Sequence, residues 1–80
     1  MKVVVNVKLK EGVLDPQGKA VSHALSSLGF SNVNGVRIGK QIVLDIKESD
    51  EKKALSDVET MCEELLANTV IEDYEIEIAK

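Results

Sequence analysis

The sequence has one histidine, His23, and one cysteine, Cys62, which are residue types often used as a base and as a nucleophile. His23 points away from the apolar stripe of its predicted helix, so we expect a surface residue or a partner contact. Cys62 falls within the apolar stripe of the second predicted helix, where burial raises the pKa of a thiol. One cysteine cannot form an internal disulfide, and no Cys/His spacing indicates zinc. The sequence predicts no catalytic residue, no metal ligand and no cofactor on this chain.

The segment Gly35–Lys40 has glycines and a lysine, the residue types that bind phosphate in nucleotide-binding loops. Only three residues separate its glycines, and Gln41 stands where a Ser or Thr would bind magnesium. The segment also lies between two predicted strands rather than between a strand and a helix. We therefore expect a hairpin turn at Gly39-Lys40, with Gly39 supplying a positive φ and Lys40 in solvent.

The segment Asp15–Lys19 opens a predicted helix, and free backbone N–H groups at such an end can bind an anion. Asp15, as the N-cap, would accept from one of these donors and repel a phosphate, which favours a capped helix start. Gly18 is unusual in a first helical turn, where it costs up to about 1 kcal/mol relative to Ala. A close approach of another chain would explain it.

The spacing of apolar residues predicts two helices and four strands. Val3 to Leu9 and Ile71 to Ile78 alternate as half-buried strands, and Ile42, Leu44 and Ile46 do the same. One helix is predicted from Pro16 to a left-handed cap at Gly29. A further strand is predicted to contain Val33, Val36 and Ile38, although Asn34-Gly35 is a competing turn signal. The second helix is predicted to be capped by Ser49 and to end at Ala67-Asn68. Its apolar face includes Leu65 and Leu66.

This order, β-α-β-β-α-β, predicts an α+β, ferredoxin-like fold. We expect an antiparallel four-stranded sheet in the order 4-1-3-2, with both helices on one face because crossovers are right-handed. The first and last strands would then pair, which sets Lys2, Lys8 and Lys10 against the outward-facing acids of the last strand.

The 80 residues predict a single domain, 1–80, because so short a chain cannot divide its apolar surface between two cores. The sequence is 44% hydrophobic and 30% charged, with a net charge of −4. An acidic chain argues against nucleic acid as the main partner, and no apolar run approaches the roughly 20 residues of a membrane span. The N-terminus lacks a signal-peptide cleavage region. We expect a cytoplasmic protein.

Four segments, in the same order and at similar spacing, resemble the PurS proteins, the small accessory subunits of phosphoribosylformylglycinamidine synthase. They are Leu9–Val21, Leu28–Phe30, Val36–Lys40 and Asn68–Glu75. Together they extend over most of the chain.

The resemblance implies a subunit without activity of its own in an ATP-dependent ligase of purine biosynthesis. Its partners would be the synthetase subunit PurL, the glutaminase subunit PurQ and further copies of itself. The complex converts formylglycinamide ribonucleotide, glutamine and ATP to formylglycinamidine ribonucleotide, glutamate, ADP and phosphate. The small subunit would support assembly and the transfer of ammonia, while ATP and Mg²⁺ would bind the synthetase subunit.

We expect partner contacts where the resemblance coincides with loops and element ends, since core packing demands least there. These residues are Asp15, Pro16, Gln17, Gly18, Lys19, Arg37, Gly39, Lys40, Asn68, Ile71 and Tyr74.

The alternative function is a small dimeric regulatory module that binds a metabolite between two copies of the fold. A small ferredoxin-like hydrolase would need an Arg in its first loop, which this sequence lacks.

Overall fold

The computed structural model describes residues 1–79 and has the element order β-α-β-α-β. The strands are β1 (Lys2–Leu9), β2 (Gly39–Asp45) and β3 (Glu72–Ile78). The helices are α1 (Pro16–Ser27) and α2 (Glu51–Met61), and a single π turn, Cys62–Leu66, follows α2. The sheet is antiparallel, with β1 in the centre between β2 and β3. The predicted α+β class and the pairing of the first and last strands are confirmed.

The core lies on one face of the sheet. Val3, Val5 and Val7 of β1 are at most 3% exposed, and they pack against Val58 and Cys62 of α2 and the π turn. The predicted alternation of β1 and β3 is confirmed, because Tyr74, Ile76 and Ile78 are half-buried while Asp73, Glu75 and Glu77 are exposed. Lys8 lies opposite Asp73 in the register of the two strands, and the Lys10 ammonium lies 2.9 Å from the Asp73 carboxylate.

The prediction of a four-stranded sheet is wrong, because the segment with Val33, Val36 and Ile38 forms no strand within the described residues. Its backbone binds the start of α1 instead: Ile38 N–H donates to the Asp15 carboxylate at 2.7 Å. The predicted hairpin at Gly39-Lys40 is also wrong. Gly39 is the first residue of β2, and its φ is not positive.

Helix α1 begins and ends as predicted. Asp15 is its N-cap, and Pro16 is its first residue. Gly29 has a φ of +98° just after the helix. The Phe30 N–H donates to the Leu25 carbonyl and the Gly29 N–H to that of Ser26, which is a Schellman cap.

The expectation of two helices packed on one sheet face is met only by α2. Gly18 is the only residue of α1 that is buried. The apolar stripe of the helix is open except at half-buried Leu25, and Leu28 at the C-cap is 74% exposed. The stripe consists of Ala20, Val21, Ala24, Leu25 and Leu28. The molecule is correspondingly long: its Cα radius of gyration is 16.0 Å, against about 12 Å for a compact domain of this length. A single copy therefore leaves one helix without a partner.

The second helix differs from its prediction at its start and in the form of its last turn, although that turn ends at Ala67 as predicted. Asp50, not Ser49, is the N-cap, and its carboxylate accepts from the N–H groups of Lys52 and Lys53. At the other end the Ala67 N–H donates to the Cys62 carbonyl at 3.0 Å, five residues back. This wider turn leaves Leu65 82% exposed, although its spacing predicted a place on the apolar face.

Among residues 1–79, no helix has both the length and the apolar character needed to cross a membrane.

Candidate partner-binding site

Asp15 connects α1 to the segment that precedes β2. It is only 4% exposed, and its carboxylate accepts from the N–H of Ile38 at 2.7 Å and from the N–H of Gly18 at 2.8 Å. These two backbone donors, with a smaller contribution from the Arg37 guanidinium, lower the pKa of the carboxyl below its usual value. Asp15 therefore has a structural task in addition to its predicted role in partner contact.

Gly18 lies against the Val36 carbonyl oxygen, and a Cβ at position 18 would clash with that atom. The sequence suggested that another chain approaches Gly18 closely, but the approaching backbone is that of Val36 in the same chain. Pro16, Gln17 and Lys19 are exposed around it. A shallow depression of about 350 Å³ beside Gly18 is bordered by Lys19 and Arg37.

Three predicted contact residues, Arg37, Gly39 and Lys40, lie just before β2 or at its start, and Arg37 borders the depression beside Gly18. The Arg37 Nη2 donates to the Lys10 carbonyl at 3.1 Å, and the rest of its side chain is exposed. Gly39 allows β2 to lie close to β1, because a Cβ there would be 2.7 Å from the Val7 carbonyl oxygen. Lys40 is exposed and pairs with Val7 across the two strands.

The third predicted segment is a tight turn between the π turn and β3. The Asn68 N–H donates to the Glu72 carboxylate at 2.6 Å, and the Asn68 side-chain oxygen accepts from the Val70 N–H at 3.2 Å. The Asn68 carbonyl accepts from the N–H groups of Ile71 and Glu72. Exposed Val70 and Ile71 are consequently held by backbone hydrogen bonds rather than by packing.

Tyr74 connects β3 to the π turn. Its hydroxyl donates to the Glu63 carboxylate at 2.7 Å, and this bond, with burial and the negative charge of Glu63, raises the pKa of Tyr74 to about 12. The bond also fixes the first residues of the π turn relative to the sheet.

Lys10 connects the predicted contact segments to one another. Its N–H donates to the Ile71 carbonyl at 2.9 Å, while its own carbonyl accepts from Arg37. The end of β1 therefore brings the start of α1, the start of β2 and the 68–72 turn to one end of the sheet. The sequence predicted the charge pairing of Lys10 but not this backbone role, which depends on distant segments.

The outer face of the sheet carries a groove of about 630 Å³ that the sequence did not predict. Residues of all three strands border it, namely Asn6, Val7, Lys8, Gly39, Lys40, Gln41, Asp73, Tyr74 and Glu75. The residues that border the groove come from three separate strands, and the sequence of each strand alone predicts only a solvent-exposed face.

The histidine and the cysteine of the chain lie on different elements. His23 is exposed on α1, and Cys62 is fully buried, where desolvation, with the charges of Glu63 and Glu59, raises the pKa of its thiol. No group of three His, Cys, Asp or Glu side chains within residues 1–79 could hold a metal ion. The placement of His23 and Cys62 agrees with the sequence-based predictions.

Comparison with known proteins identifies the family. Residues 2–80 match the family described as PurS: Phosphoribosylformylglycinamidine (FGAM) synthase. This chain belongs to the PurS family. A Bacillus subtilis PurS subunit of phosphoribosylformylglycinamidine synthase is 57% identical over 77 residues, which are 96% of this chain and 90% of the relative. The resemblance stated from the four sequence segments is confirmed.

Solved PurS structures have the same fold. The crystal structure of Methanocaldococcus jannaschii PurS, a subunit of formylglycinamide ribonucleotide amidotransferase in purine biosynthesis, has a TM-score of 0.89 at 48% identity, over 99% of this chain and 95% of that one. A chain in the structure of PurLQS from Thermotoga maritima has a TM-score of 0.86 at 34% identity, over 95% and 93%. Both matches cover more than nine tenths of each chain that is compared.

Proposed function

We propose that this chain is a non-catalytic subunit that joins the synthetase PurL to the glutaminase PurQ and supports the transfer of ammonia between them. The similarity to a chain of the Thermotoga maritima PurLQS structure, over 95% of the length, is the observation that carries this proposal. Exposed residues at the end of the sheet, such as Lys19, Arg37 and Asn68, support the proposal because they are accessible to a partner. The eleven contact residues predicted from the sequence stay part of the proposal.

The chemistry then belongs to the partner subunits. ATP and Mg²⁺ bind the synthetase subunit, and this chain holds no cofactor. The reaction is the amidation of formylglycinamide ribonucleotide with glutamine as the nitrogen source, and the complex works in the cytoplasm. These assignments rest on the family, since residue types and placement in the chain offer only binding surfaces.

The proposed assembly includes a second copy of this chain. The stripe of α1 exposes Val21 by 40% and Leu28 by 74%, and Phe30 just beyond is 55% exposed. On the core face, α2 packs against β3, whereas Ile42 and Leu44 of β2 stay half-buried. A homodimer would cover both surfaces, with α1 of one copy over the β2 side of the other.

Glutamine-driven amidation, measured in a mixture of PurL and PurQ with and without this chain, tests the proposal. The activity is expected only when the chain is present, because ammonia released by the glutaminase must reach the synthetase site.

A further inference from the structure

The segment between α1 and β2 contains an asparagine followed directly by a glycine, Asn34-Gly35. Both residues are exposed, and both lie outside the helices and strands of the chain. Neither the Asn34 side chain nor the Gly35 N–H makes a hydrogen bond with any of residues 1–79. The side-chain amide and the backbone nitrogen next to it are therefore not held apart by other partners.

The backbone at Gly35 has room to move toward the Asn34 side chain. A Cβ at position 35 would have no atom within 4 Å, so the surrounding chain does not confine this residue. Glycine also has the widest range of backbone conformations, because it lacks a Cβ. The Gly35 nitrogen can consequently approach the carbonyl carbon of the Asn34 side chain, Cγ.

We propose that Asn34 is a modification site, at which the chain deamidates without an enzyme. Hydroxide removes the Gly35 N–H proton, and the nitrogen attacks Cγ of Asn34. The new N–Cγ bond closes a succinimide ring, while the bond from Cγ to the side-chain nitrogen breaks and ammonia leaves with a proton from water. Water then opens the ring: cleavage at Cγ gives aspartate, and cleavage at the main-chain carbonyl gives isoaspartate. This inference does not rest on the proposed function.

The other asparagines of the chain lack this combination of features. Asn32 is exposed on the same segment, but the β-branched side chain of Val33 crowds the nitrogen that would attack. Asn6 lies in the central strand, paired on both sides. The Asn68 side chain already accepts a backbone N–H of its own turn. The modification is therefore expected at Asn34 in preference to these three positions.

Isoaspartate at position 34 has a consequence for the attachment of α1. It lengthens the main chain by one methylene group, just before the segment whose Val36 carbonyl lies against Gly18 and whose Ile38 N–H donates to Asp15. The modified chain is expected to be less stable than the unaltered one. The variant Asn34→Asp is the matched control, because it has the new charge but keeps the original length of the main chain.

The test stores the purified full chain at neutral and at mildly alkaline pH and follows residues 20–37 by mass spectrometry, since this tryptic peptide contains both Asn32 and Asn34. We expect a gain of one dalton, the difference between the water gained and the ammonia lost, at Asn34 and faster at the higher pH. Gly35→Ala is expected to slow the gain about tenfold, equivalent to about 1.4 kcal/mol in activation free energy. This variant should fold normally, because its Cβ has space.

Equal rates at Asn32 and Asn34, or an unchanged rate in Gly35→Ala, would overturn the assignment of the site. So would a chain that keeps its mass at Asn34 while another asparagine changes. The isoaspartyl form, separated by chromatography, is expected to unfold at a lower urea concentration than Asn34→Asp. Equal midpoints would overturn the link between the modification and the attachment of α1.

Discussion

At the scale of single residues, the contact between Gly18 and the Val36 carbonyl explains why a glycine stands in the first turn of α1. The Asp15 carboxylate reinforces the contact by binding the N–H of Ile38 on the same segment. A sequence can show that Gly18 is unusual, but it cannot show whether its neighbour belongs to the same chain or to another. Part of the predicted contact motif therefore stabilises the monomer itself.

Replacement of Gly18 by Ala is expected to lower the free energy of unfolding by about 2 kcal/mol, because either the Val36 backbone or the helix must move. The matched control is Gly35→Ala, where a Cβ would have no atom within 4 Å and φ is not positive. That change is expected to be neutral or to stabilise by about 0.4–1 kcal/mol. Urea unfolding measures both, and equal stability of the two variants would contradict the contact.

Tyr74 offers a direct spectroscopic probe of the bond that fixes the π turn, since the chain has one Tyr and no Trp. A titration of phenolate absorbance is expected to give an apparent pKa of about 12. The raised pKa means that this bond adds stability below the unfolded pKa of about 10 and loses it as the pH rises toward 12. Glu63→Gln is expected to move the pKa back toward 10, and an unchanged value would contradict the bond.

At the scale of elements, the sequence predicts correctly those segments whose residues interact within the segment. The alternation of β1 and β3, and the two caps of α1, depend on local spacing and local hydrogen bonds. The strand predicted around Val36 has adequate spacing, but its backbone groups bind the start of α1 rather than a neighbouring strand. The exposure of Leu65 likewise depends on a π turn, which hydrophobic spacing does not reveal.

Helix α1 carries the prediction for self-association. Leu28→Asp places a charge in the exposed apolar stripe and is expected to shift the protein from dimer to monomer in sedimentation equilibrium, because a buried charge without a partner is costly. His23→Asp, on the exposed polar side of the same helix, is the matched control and should leave the dimer intact. A dimer that survives Leu28→Asp would contradict the assigned interface.

At the scale of the whole molecule, the elongated shape and the uneven charge indicate a protein whose exposed surfaces are covered by its partners. The radius of gyration is 16.0 Å, and α1 buries only Gly18, so no element of this chain covers that helix. The residues of the candidate site were each proposed from their place in the sequence, and their contact with a partner stays a prediction. Their convergence on Lys10 was not predicted, because it depends on contacts between segments that lie far apart in the chain.

The proposed connector role is tested most directly by the nitrogen source that the reconstituted enzyme can use. Amidation of formylglycinamide ribonucleotide is measured in a mixture of PurL and PurQ, with glutamine or with ammonium salt, and with or without this chain. Glutamine-driven activity is expected to require the chain, while ammonia-driven activity should depend on it much less. Equal glutamine-driven activity without the chain would contradict the account.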